Sequence, residues 1–342
     1  MSRHLNVPIF IPHLGCPHTC VFCNQRSISG KQSFDPDTVR EQIVRALDTT
    51  TKQDTAEIAY FGGSFTGIDR ALMIRLLGIA QEFVQNPPKG KAHVCGIRVS
   101  TRPDYISEEI IEILSSFGVR TVELGLQSMD DGVLAASERG HDAACGERAC
   151  RMLLDAGFTV VGQTMIGLPG STPESEVRTA QKLCHIGVQA ARIYPTVVFA
   201  DTALCRMMQK GTYTPLDQAD AVARSARVLD VFERHGVQVI RIGLCASDNL
   251  SDPACAVAGA NHPAMGELVR SELYYQKLRE LLREAKSPVQ TVYIPARELS
   301  VAIGQHRRNL SRLQEEFGSA LRLVARNCQT PQLYEKETEH CT

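Results

Sequence analysis

Apolar residues along the chain follow two alternating patterns: short continuous runs, and longer stretches in which apolar residues recur every three or four positions. Continuous runs predict buried strands, and the wider spacing predicts amphipathic helices. The predicted strands begin near Val7 and then cover 57–61, 96–100, 119–124, 159–166, 189–194 and 237–242. The predicted helices cover 37–47, 69–85, 107–117, 142–156, 216–235 and 265–285, with a further one that begins at Pro173. Strands that alternate with helices in this way indicate βαβ units and a parallel sheet.

The first predicted helix shows the reasoning at the level of single residues. Asp37 is placed to cap it, because a short acidic side chain can accept hydrogen bonds from the free backbone amides of the first turn. Val39, Ile43, Val44 and Leu47 then recur with helical spacing. We therefore expect these four side chains to form one buried face.

Right-handed crossovers would curl six or more such units into a full or partial (β/α) barrel of parallel strands, an α/β fold. A doubly wound sheet is the alternative, but it does not predict glycine-rich turns after several different strands. We predict a barrel over residues 1–245, a connecting loop and helix over 246–288, and a small α+β unit over 289–342. Within the connection, residues 247–263 are rich in Asp, Asn, Ser, Pro and Gly and are expected to form a loop.

Composition limits the classes of function. The 342 residues are 43% hydrophobic, which supports a substantial core, and the formal net charge of −1 gives no overall attraction to nucleic acid or membranes, although a local basic face is still possible. No apolar run is long enough for a membrane helix, and the N-terminus has no apolar signal region. The twelve cysteines form no obvious secretory framework. Together these features predict a cytoplasmic protein without a membrane partner.

Three of the cysteines carry candidate chemistry. Cys16, Cys20 and Cys23 follow the first predicted strand with the spacing C-x3-C-x2-C. Three thiolates can hold three corners of a cubane iron–sulfur cluster and leave one iron open to another ligand. A structural zinc site completed by His13 or His18 is the alternative, but such sites usually combine two separate cysteine pairs.

Further motifs stand at the ends of later strands, where barrel enzymes carry their functional groups. Gly62-Gly63-Ser64 follows the second strand, Gln127 and Arg139 follow the fourth, and Gln163 lies on the fifth, before a Gly-Leu-Pro-Gly turn. By itself, the glycine pair indicates a plain turn, and a lone arginine indicates a solvated helix residue. Four motifs in this order are much more specific than any one of them.

Taken together, the motifs resemble the radical S-adenosylmethionine (SAM) superfamily. The resemblance implies a [4Fe-4S] cluster on Cys16, Cys20 and Cys23, whose open iron takes the amino and carboxylate groups of SAM. It implies a SAM site that places Phe22 near the adenine, Arg139 near the carboxylate, and the Gly62–Gly63 backbone at the amino group. The full set of SAM-binding candidates is Phe22, Gly62, Gly63, Ser64, Ser100, Gln127, Arg139 and Gln163. An electron donor of the flavodoxin or ferredoxin type is the implied partner.

Within that superfamily, the motif Phe-Gly-Gly-Ser-Phe-Thr-Gly is similar to the corresponding motif of the branch that contains the catalytic subunit of elongator. Oxygen-independent coproporphyrinogen oxidases carry acidic residues where Ser100 and Gln163 stand here, which puts a porphyrinogen reaction in doubt. Elongator's subunit has a longer gap between its first two cysteines and an acetyltransferase domain after the barrel. About a hundred residues follow Ile242, too few for such a domain at ordinary sizes. Acetyl transfer is therefore not predicted for this chain.

These observations predict a radical SAM enzyme that modifies RNA, most simply a tRNA base. The alternative is a radical SAM oxidoreductase that acts on a small molecule such as a tetrapyrrole or metabolite, with the C-terminal part as a lid. A structural or redox-sensing cluster without catalysis is disfavoured by the open coordination site. Arg192 and Tyr194 on the sixth strand could meet the substrate, although a strand tyrosine is more often a packing residue.

The C-terminal unit carries the RNA hypothesis. Its predicted order is a strand at 292–295, a helix, a turn, a second helix and a closing strand at 320–324, which resembles a minimal KH module. The loop Gly304-Gln305-His306-Arg307 occupies the place of the Gly-x-x-Gly loop that clamps a nucleic-acid backbone, with arginine at the second glycine position. Arg307 and Arg308 are the candidate phosphate contacts. The structural alternative is a solvated helical hairpin.

Overall fold

A curled sheet of parallel strands forms the larger part of the protein. The computed structural model describes residues 3–11, 14–16, 20–24, 33–245, 248–285, 287 and 289–334. Seven parallel strands pair in the order β1-β2-β3-β4-β5-β6-β8. They are β1 (His4–Phe10), β2 (Thr55–Phe61), β3 (His93–Thr101), β4 (Val119–Gln127), β5 (Thr159–Ile166), β6 (Ala190–Pro195) and β8 (Gln238–Ile242), with the short β7 (Val197–Phe199) between the last two in the chain.

Helices connect these strands and cover the outside of the sheet. They are α1 (Val39–Asp48), α2 (Arg70–Gln85), α3 (Glu108–Ser116), α4 (Asp131–Ala136), α5 (Ala143–Asp155), α6 (Pro173–Ile186), α7 (Ala203–Gln209) and α8 (Gln218–Arg234). Their apolar faces pack on strand residues such as Ile58, Ile97 and Val122, all fully buried. The strands form an open half-barrel, which confirms the predicted α/β fold. None of the helices described here is long and apolar enough to cross a membrane.

The start of the first helix corrects two predictions. Asp37 does not cap α1: a short 3-10 turn over Pro36–Thr38 precedes the helix, and Asp35 accepts the backbone N–H of Asp37 instead. Val44 is 39% exposed, whereas Val39, Ile43 and Leu47 are fully buried. A helix that contacts the sheet along one stripe buries the centre of its apolar face, and Val44 lies at the edge of that stripe.

The region after β8 is more ordered than predicted. A short helix α9 (Asp248–Ser251) and strand β9 (Ala256–Gly259) stand where a loop was expected. The β9 strand pairs antiparallel with β7, which sequence analysis also missed. Strands this short carry too few residues for a recognisable apolar pattern.

The long helix α10 (Met265–Arg283) belongs to two cores. Its first half adds Met265 and Val269 to the barrel core, and its second half adds Leu278 and Leu282 to a separate apolar cluster. That cluster belongs to the C-terminal unit, which contains β10 (Thr291–Pro295), α11 (Leu299–Ile303), α12 (Arg308–Phe317), β11 (Arg322–Arg326) and β12 (Gln332–Tyr334). The boundaries near residues 245 and 288 remain predictions, since the same helix packs on both parts.

Candidate functional site

The cysteine segment lies at the C-terminal end of β1, and the structure describes all three predicted ligands. Cys20 is buried, and Cys16 and Cys23 are half-buried. Burial raises the pKa of the Cys16 thiol, and the neighbouring Cys20 raises it further. Among the residues described, no three Cys, His, Asp or Glu side chains converge as a metal site, so the three thiols are not preassembled. Metal sites commonly form only when the metal binds, and His13 and His18 lie outside the described residues.

The Gly62-Gly63 turn packs directly on the backbone of the cysteine segment. A Cβ on Gly63 would lie 2.0 Å from the carbonyl oxygen of Leu14, and one on Gly62 would lie 2.9 Å from that of Ile11. The next residue continues the contact, because Ser64 donates its N–H to the Leu14 carbonyl at 2.9 Å. Only glycine allows two backbones to approach this closely. The turn therefore holds the segment that leads to Cys16 against the end of β2.

The Ser64 side chain forms hydrogen bonds in the protein interior. It is fully buried, and its hydroxyl lies 2.9 Å from that of Thr101 at the end of β3. The same hydroxyl accepts the backbone N–H of Arg102 at 3.2 Å. Any contact of Ser64 with a cofactor would thus come from its backbone.

Two buried arginines surround Cys20. Arg139 donates from Nη1 to the Cys20 Sγ at 3.1 Å, and Arg102 reaches the same sulfur at 3.9 Å. Arg102 also donates to the Arg139 carbonyl at 2.5 Å and to both carboxylate oxygens of Asp104. Although burial alone would raise the pKa of Asp104, its bonds to Arg102 keep it below the usual value. Sequence analysis assigned no role to Arg102 or Asp104.

Gln127 and Arg139 come together at the end of β4, as their separation in the sequence suggested. The second Arg139 amino group donates to the Gly125 carbonyl. Gln127 has φ 67°, a left-handed conformation that non-glycine residues adopt mainly where surrounding structure enforces it. The Gln127 Oε1 and Arg139 Nε atoms are buried and lack hydrogen-bond partners in the described part of the chain. Buried polar atoms are normally satisfied, so this pair fits a site that a polar ligand completes.

Ser100 and Gln163 meet inside the half-barrel. Gln163 donates from Nε2 to Glu123 at 3.0 Å and lies 3.4 Å from the Ser100 hydroxyl. The carboxylate that the porphyrinogen branch carries at these two strand positions is absent, but Glu123 on β4 brings one to the same place. Glu123 itself is fully buried.

Glu123 is part of an ion-pair network across the strands, which sequence analysis missed. It accepts hydrogen bonds from Arg98 and Arg192, both at 2.8 Å. Arg98 also donates to Glu57 on β2 at 2.6 Å. Charged residues within otherwise apolar parallel strands were the available signal, because such strands are usually apolar on both faces. The network lies within the curve of the sheet and joins β2, β3, β4 and β6.

Arg192 and Tyr194, the substrate candidates on β6, are already engaged with each other. The Arg192 guanidinium lies 3.3 Å from the Tyr194 hydroxyl and 5.6 Å from the centre of the Phe61 ring. Burial raises the pKa of Tyr194 above its usual value. Both residues thus lie at the network's edge, and their contact with a substrate remains a prediction.

Phe22 packs beside the cysteines rather than into open space. It borders a small apolar cluster that includes Val21, Val198 and Leu204. Val21 also exchanges backbone hydrogen bonds with two neighbours, accepting from Leu204 at 2.8 Å and donating to Ser137 at 3.3 Å. The segment that carries Cys20 and Cys23 is therefore attached to β7 and α7.

A cavity of about 610 Å³ lies on the other side of Arg139, which lines it together with Asp104, Glu138, His141, Cys145 and Arg148. Burial, helped by the positive charge of Arg139, lowers the pKa of His141 to about 4. His141 is consequently neutral at physiological pH. Because Arg139 also contacts Cys20, this cavity and the cysteine segment share one wall.

The predicted RNA contacts, Arg307 and Arg308, lie in the C-terminal unit. His306, Arg307 and Arg308 are exposed in the turn between α11 and α12. Gly304, His306 and Arg307 all have positive φ, so the turn is tight and left-handed. Neither Arg307 nor Arg308 forms an ion pair with any residue that the structure describes.

Comparison with known families agrees with this geometry. The sequence profile of the Radical SAM superfamily matches residues 10–183, which contain the cysteine segment and strands β2 to β5. The profile of the Radical_SAM C-terminal domain matches residues 188–275. Together the two profiles cover the half-barrel from the end of β1 onward and the first part of α10.

The individual relatives share less than 30% sequence identity with this chain over the matched regions. An uncharacterised protein of Methanocaldococcus jannaschii is 29% identical over 229 residues, 64% of this chain and 68% of that protein. The tRNA uridine(34) acetyltransferase of Dehalococcoides mccartyi is 26% identical over 61% of this chain, and the human Elongator complex protein 3 is 25% identical over 64%. The matched regions make up only 52% and 47% of those two proteins, so the match extends over about half their length.

The archaeal Elp3 of Methanocaldococcus infernus has a similar fold. It superposes with a TM-score of 0.63 at 22% sequence identity, covering 82% of this chain and 64% of the other. At that identity the likeness concerns the fold. It places the half-barrel among structures of the same architecture.

Proposed function

Because the chain belongs to the radical SAM superfamily, and so is an enzyme that uses SAM and an iron–sulfur cluster, we propose that Cys16, Cys20 and Cys23 hold a [4Fe-4S] cluster. SAM would bind beside it, against the ends of β2 to β5. The residues proposed for it are Phe22, Gly62, Gly63, Ser64, Ser100, Gln127, Arg139 and Gln163. The observation that carries this proposal is Arg139, whose guanidinium contacts Cys20 and whose buried Nε has no hydrogen-bond partner among the described residues.

The residues around Cys20 suit this cofactor pair. A guanidinium presents forked donors that match the two oxygens of a carboxylate, so Arg139 would orient the amino-acid end of SAM. Gln127 would offer its unpartnered Oε1 to a donor on the ligand. Gln163, within β5, would offer a further hydrogen-bonding group and is held by its bond to Glu123 on β4. When bound, the reduced cluster and SAM together supply a 5′-deoxyadenosyl radical that removes a hydrogen atom from the substrate.

RNA is the substrate class that we propose, with tRNA as its natural form. Relatives that match across the half-barrel bear names describing a reaction on tRNA uridine 34. The C-terminal unit adds a second argument, since Arg307 and Arg308 are exposed there and form no ion pair with any residue that the structure describes. Local positive charge attracts the phosphate backbone. Arg307 and Arg308 remain candidate contacts, and a flavodoxin or ferredoxin remains the proposed electron donor.

The test begins with anaerobic reconstitution of the full chain with iron and sulfide. After chemical reduction, 5′-deoxyadenosine is measured with and without bulk tRNA. We expect about four irons per chain and SAM cleavage that tRNA stimulates. Cys20→Ala should lose the cluster and the cleavage, whereas Cys184→Ala, a half-buried cysteine on α6, should keep both.

Different results would contradict the proposed radical chemistry and the proposed RNA substrate. A wild-type protein that takes up no cluster, or that cleaves no SAM after reduction, would exclude the radical chemistry. A protein that cleaves SAM but neither binds tRNA nor responds to it would exclude the RNA substrate.

A further inference from the structure

The three-stranded sheet of the C-terminal unit has one covered and one open face. Its strands pair in the order β11-β10-β12. Val292 and Ile294 of β10 are fully buried and pack with Leu313 of α12 and Leu278 of α10. Because side chains alternate along a strand, the residues between them point to the other side. No described helix covers that side.

The strand registers identify the residues of the open face. Tyr293 is paired with Val324 on one side and Gln332 on the other. Thr291 is paired with Arg322 and Tyr334, and Pro295 with Arg326. Tyr334 is 49% exposed and Val324 is 39% exposed, although large apolar or aromatic side chains are usually more buried. We refer to Thr291, Tyr293, Arg322, Val324, Arg326, Gln332 and Tyr334 as the open face.

The open face carries two neighbouring tyrosine rings, and an arginine packs on one of them. The Tyr293 and Tyr334 rings lie 6.0 Å apart at an angle of 77°. The Arg326 guanidinium lies 4.5 Å from the centre of the Tyr293 ring. A planar guanidinium, the exposed Tyr334 ring and the half-buried Tyr293 ring provide flat surfaces on which nucleobases stack with little dependence on sequence.

The open face also carries charge of one sign only. It contains two arginines and no acidic residue. Neither Arg322 nor Arg326 forms an ion pair within the described ranges. On the helical side of the same unit, Arg279, Arg283 and Arg312 are all paired with glutamates. Arg322 and Arg326 are therefore left available on the open face, whereas these three arginines are neutralised by their partners.

We propose that the open face binds single-stranded RNA, with bases stacked on Tyr293 and Tyr334 and phosphates near Arg322 and Arg326. The choice of RNA as the polymer rests on the proposed function. Stacking requires unpaired bases, so a loop or end of a folded RNA would fit and a continuous duplex would not. The turn that carries Arg307 and Arg308 is not part of the open face. We therefore expect the open face to make a separate contribution to RNA binding.

The experiment measures binding of a fluorescent single-stranded oligouridylate to the reconstituted full chain at low salt, by anisotropy. Tyr334→Ala and the double substitution R322Q/R326Q should each weaken binding about tenfold or more. Tyr334→Phe keeps the ring and should bind as the wild type does. The double substitution R120Q/R151Q, at exposed arginines at the start of β4 and on α5, removes the same two charges and should change nothing. The corresponding duplex should bind at least about tenfold more weakly than the single strand.

Several results would overturn the proposal. Wild-type affinity in the Tyr334→Ala and R322Q/R326Q proteins would do so while leaving tRNA-stimulated SAM cleavage, and hence the proposed function, intact. Equal loss in Tyr334→Phe would assign the tyrosine a structural role through its hydroxyl. A change from dimer to monomer in Tyr334→Ala, by light scattering, would identify the face as an interface between copies.

Discussion

At the scale of single residues, Arg139 connects three features that lie far apart in the sequence. Its guanidinium contacts the Cys20 sulfur and the Gly125 carbonyl, and its side chain lines the cavity that contains His141. It is 5% exposed and forms no ion pair with a described carboxylate. A buried guanidinium without a carboxylate partner is costly, which suggests that a bound anion completes the site.

The prediction at this scale is that Arg139→Gln weakens SAM binding. Loss of a charge-assisted, forked hydrogen bond should raise the Kd for SAM by about tenfold to a hundredfold. Arg139→Lys should not restore binding, since an ammonium lacks the planar fork. Equilibrium dialysis of the reconstituted protein under anaerobic conditions gives the Kd, and iron analysis should show an unchanged cluster content.

Arg151→Gln serves as the control, because Arg151 is exposed and pairs only with Glu147 on the same helix. An unchanged Kd in Arg139→Gln would remove this residue from the SAM site.

At the scale of elements, the turn after β2 determines where the cysteine segment lies. Gly62, Gly63 and the Ser64 amide contact the backbone of Ile11 and Leu14, and a third glycine, Gly15, approaches the Ser64 carbonyl just as closely. Two loops thus pack through their backbones with no side chain between them. The position of Cys16 depends on this contact, since only one residue separates it from Leu14.

We predict that Gly63→Ala displaces the cysteine segment. The new methyl group would lie 2.0 Å from the Leu14 carbonyl oxygen, so the two loops must separate. The expected cost is about 2 kcal/mol in the free energy of unfolding, together with lower iron content after reconstitution. Chemical denaturation followed by circular dichroism measures the first quantity.

A matched control is available within α2. Gly78→Ala places its methyl group 3.9 Å from the nearest ring atom of Phe117, in a helix interior, and should stabilise the protein by up to about 1 kcal/mol. If Gly63→Ala leaves stability and iron content at wild-type values, the close packing of the two loops is not required.

At the scale of the whole molecule, the ion-pair network joins strands that are distant in sequence. Arg98 pairs with both Glu57 and Glu123, and Arg192 pairs with Glu123; the two arginine side chains are each 12% exposed. The two acids balance the two bases, so the network is neutral as a unit. The network adds side-chain contacts to the backbone pairing of these strands.

We predict that Glu123→Gln destabilises the fold. Removing one charge from a buried, paired network leaves an arginine uncompensated, which should cost about 3 kcal/mol. Glu41→Gln, in an exposed pair with Arg45, should change the free energy of unfolding by less than about 0.5 kcal/mol. Urea denaturation of both variants provides the comparison, and equal stabilities would show that the network contributes little.

Much of this architecture follows from local signals in the sequence. The strand over 159–166, the helix that begins at Pro173 and the half-barrel itself were predicted from apolar periodicity and confirmed, because these patterns depend on neighbours a few positions away. The cysteine spacing and the strand-end motifs were sufficient to predict the superfamily, which the family profile confirmed. The assignment of individual ligands to those residues remains a prediction.

Tertiary structure decided what depends on residues far apart in the chain. The pairing of Glu123 with Arg98 and Arg192 joins residues 25 and 69 positions apart, and the contact of Arg139 with Cys20 spans 119 positions. The exposure of Val44 and the open face around Tyr293 likewise depend on which elements cover which surfaces. Periodicity states that a side chain has a preferred face. Only packing determines whether that face is covered, and by which partner.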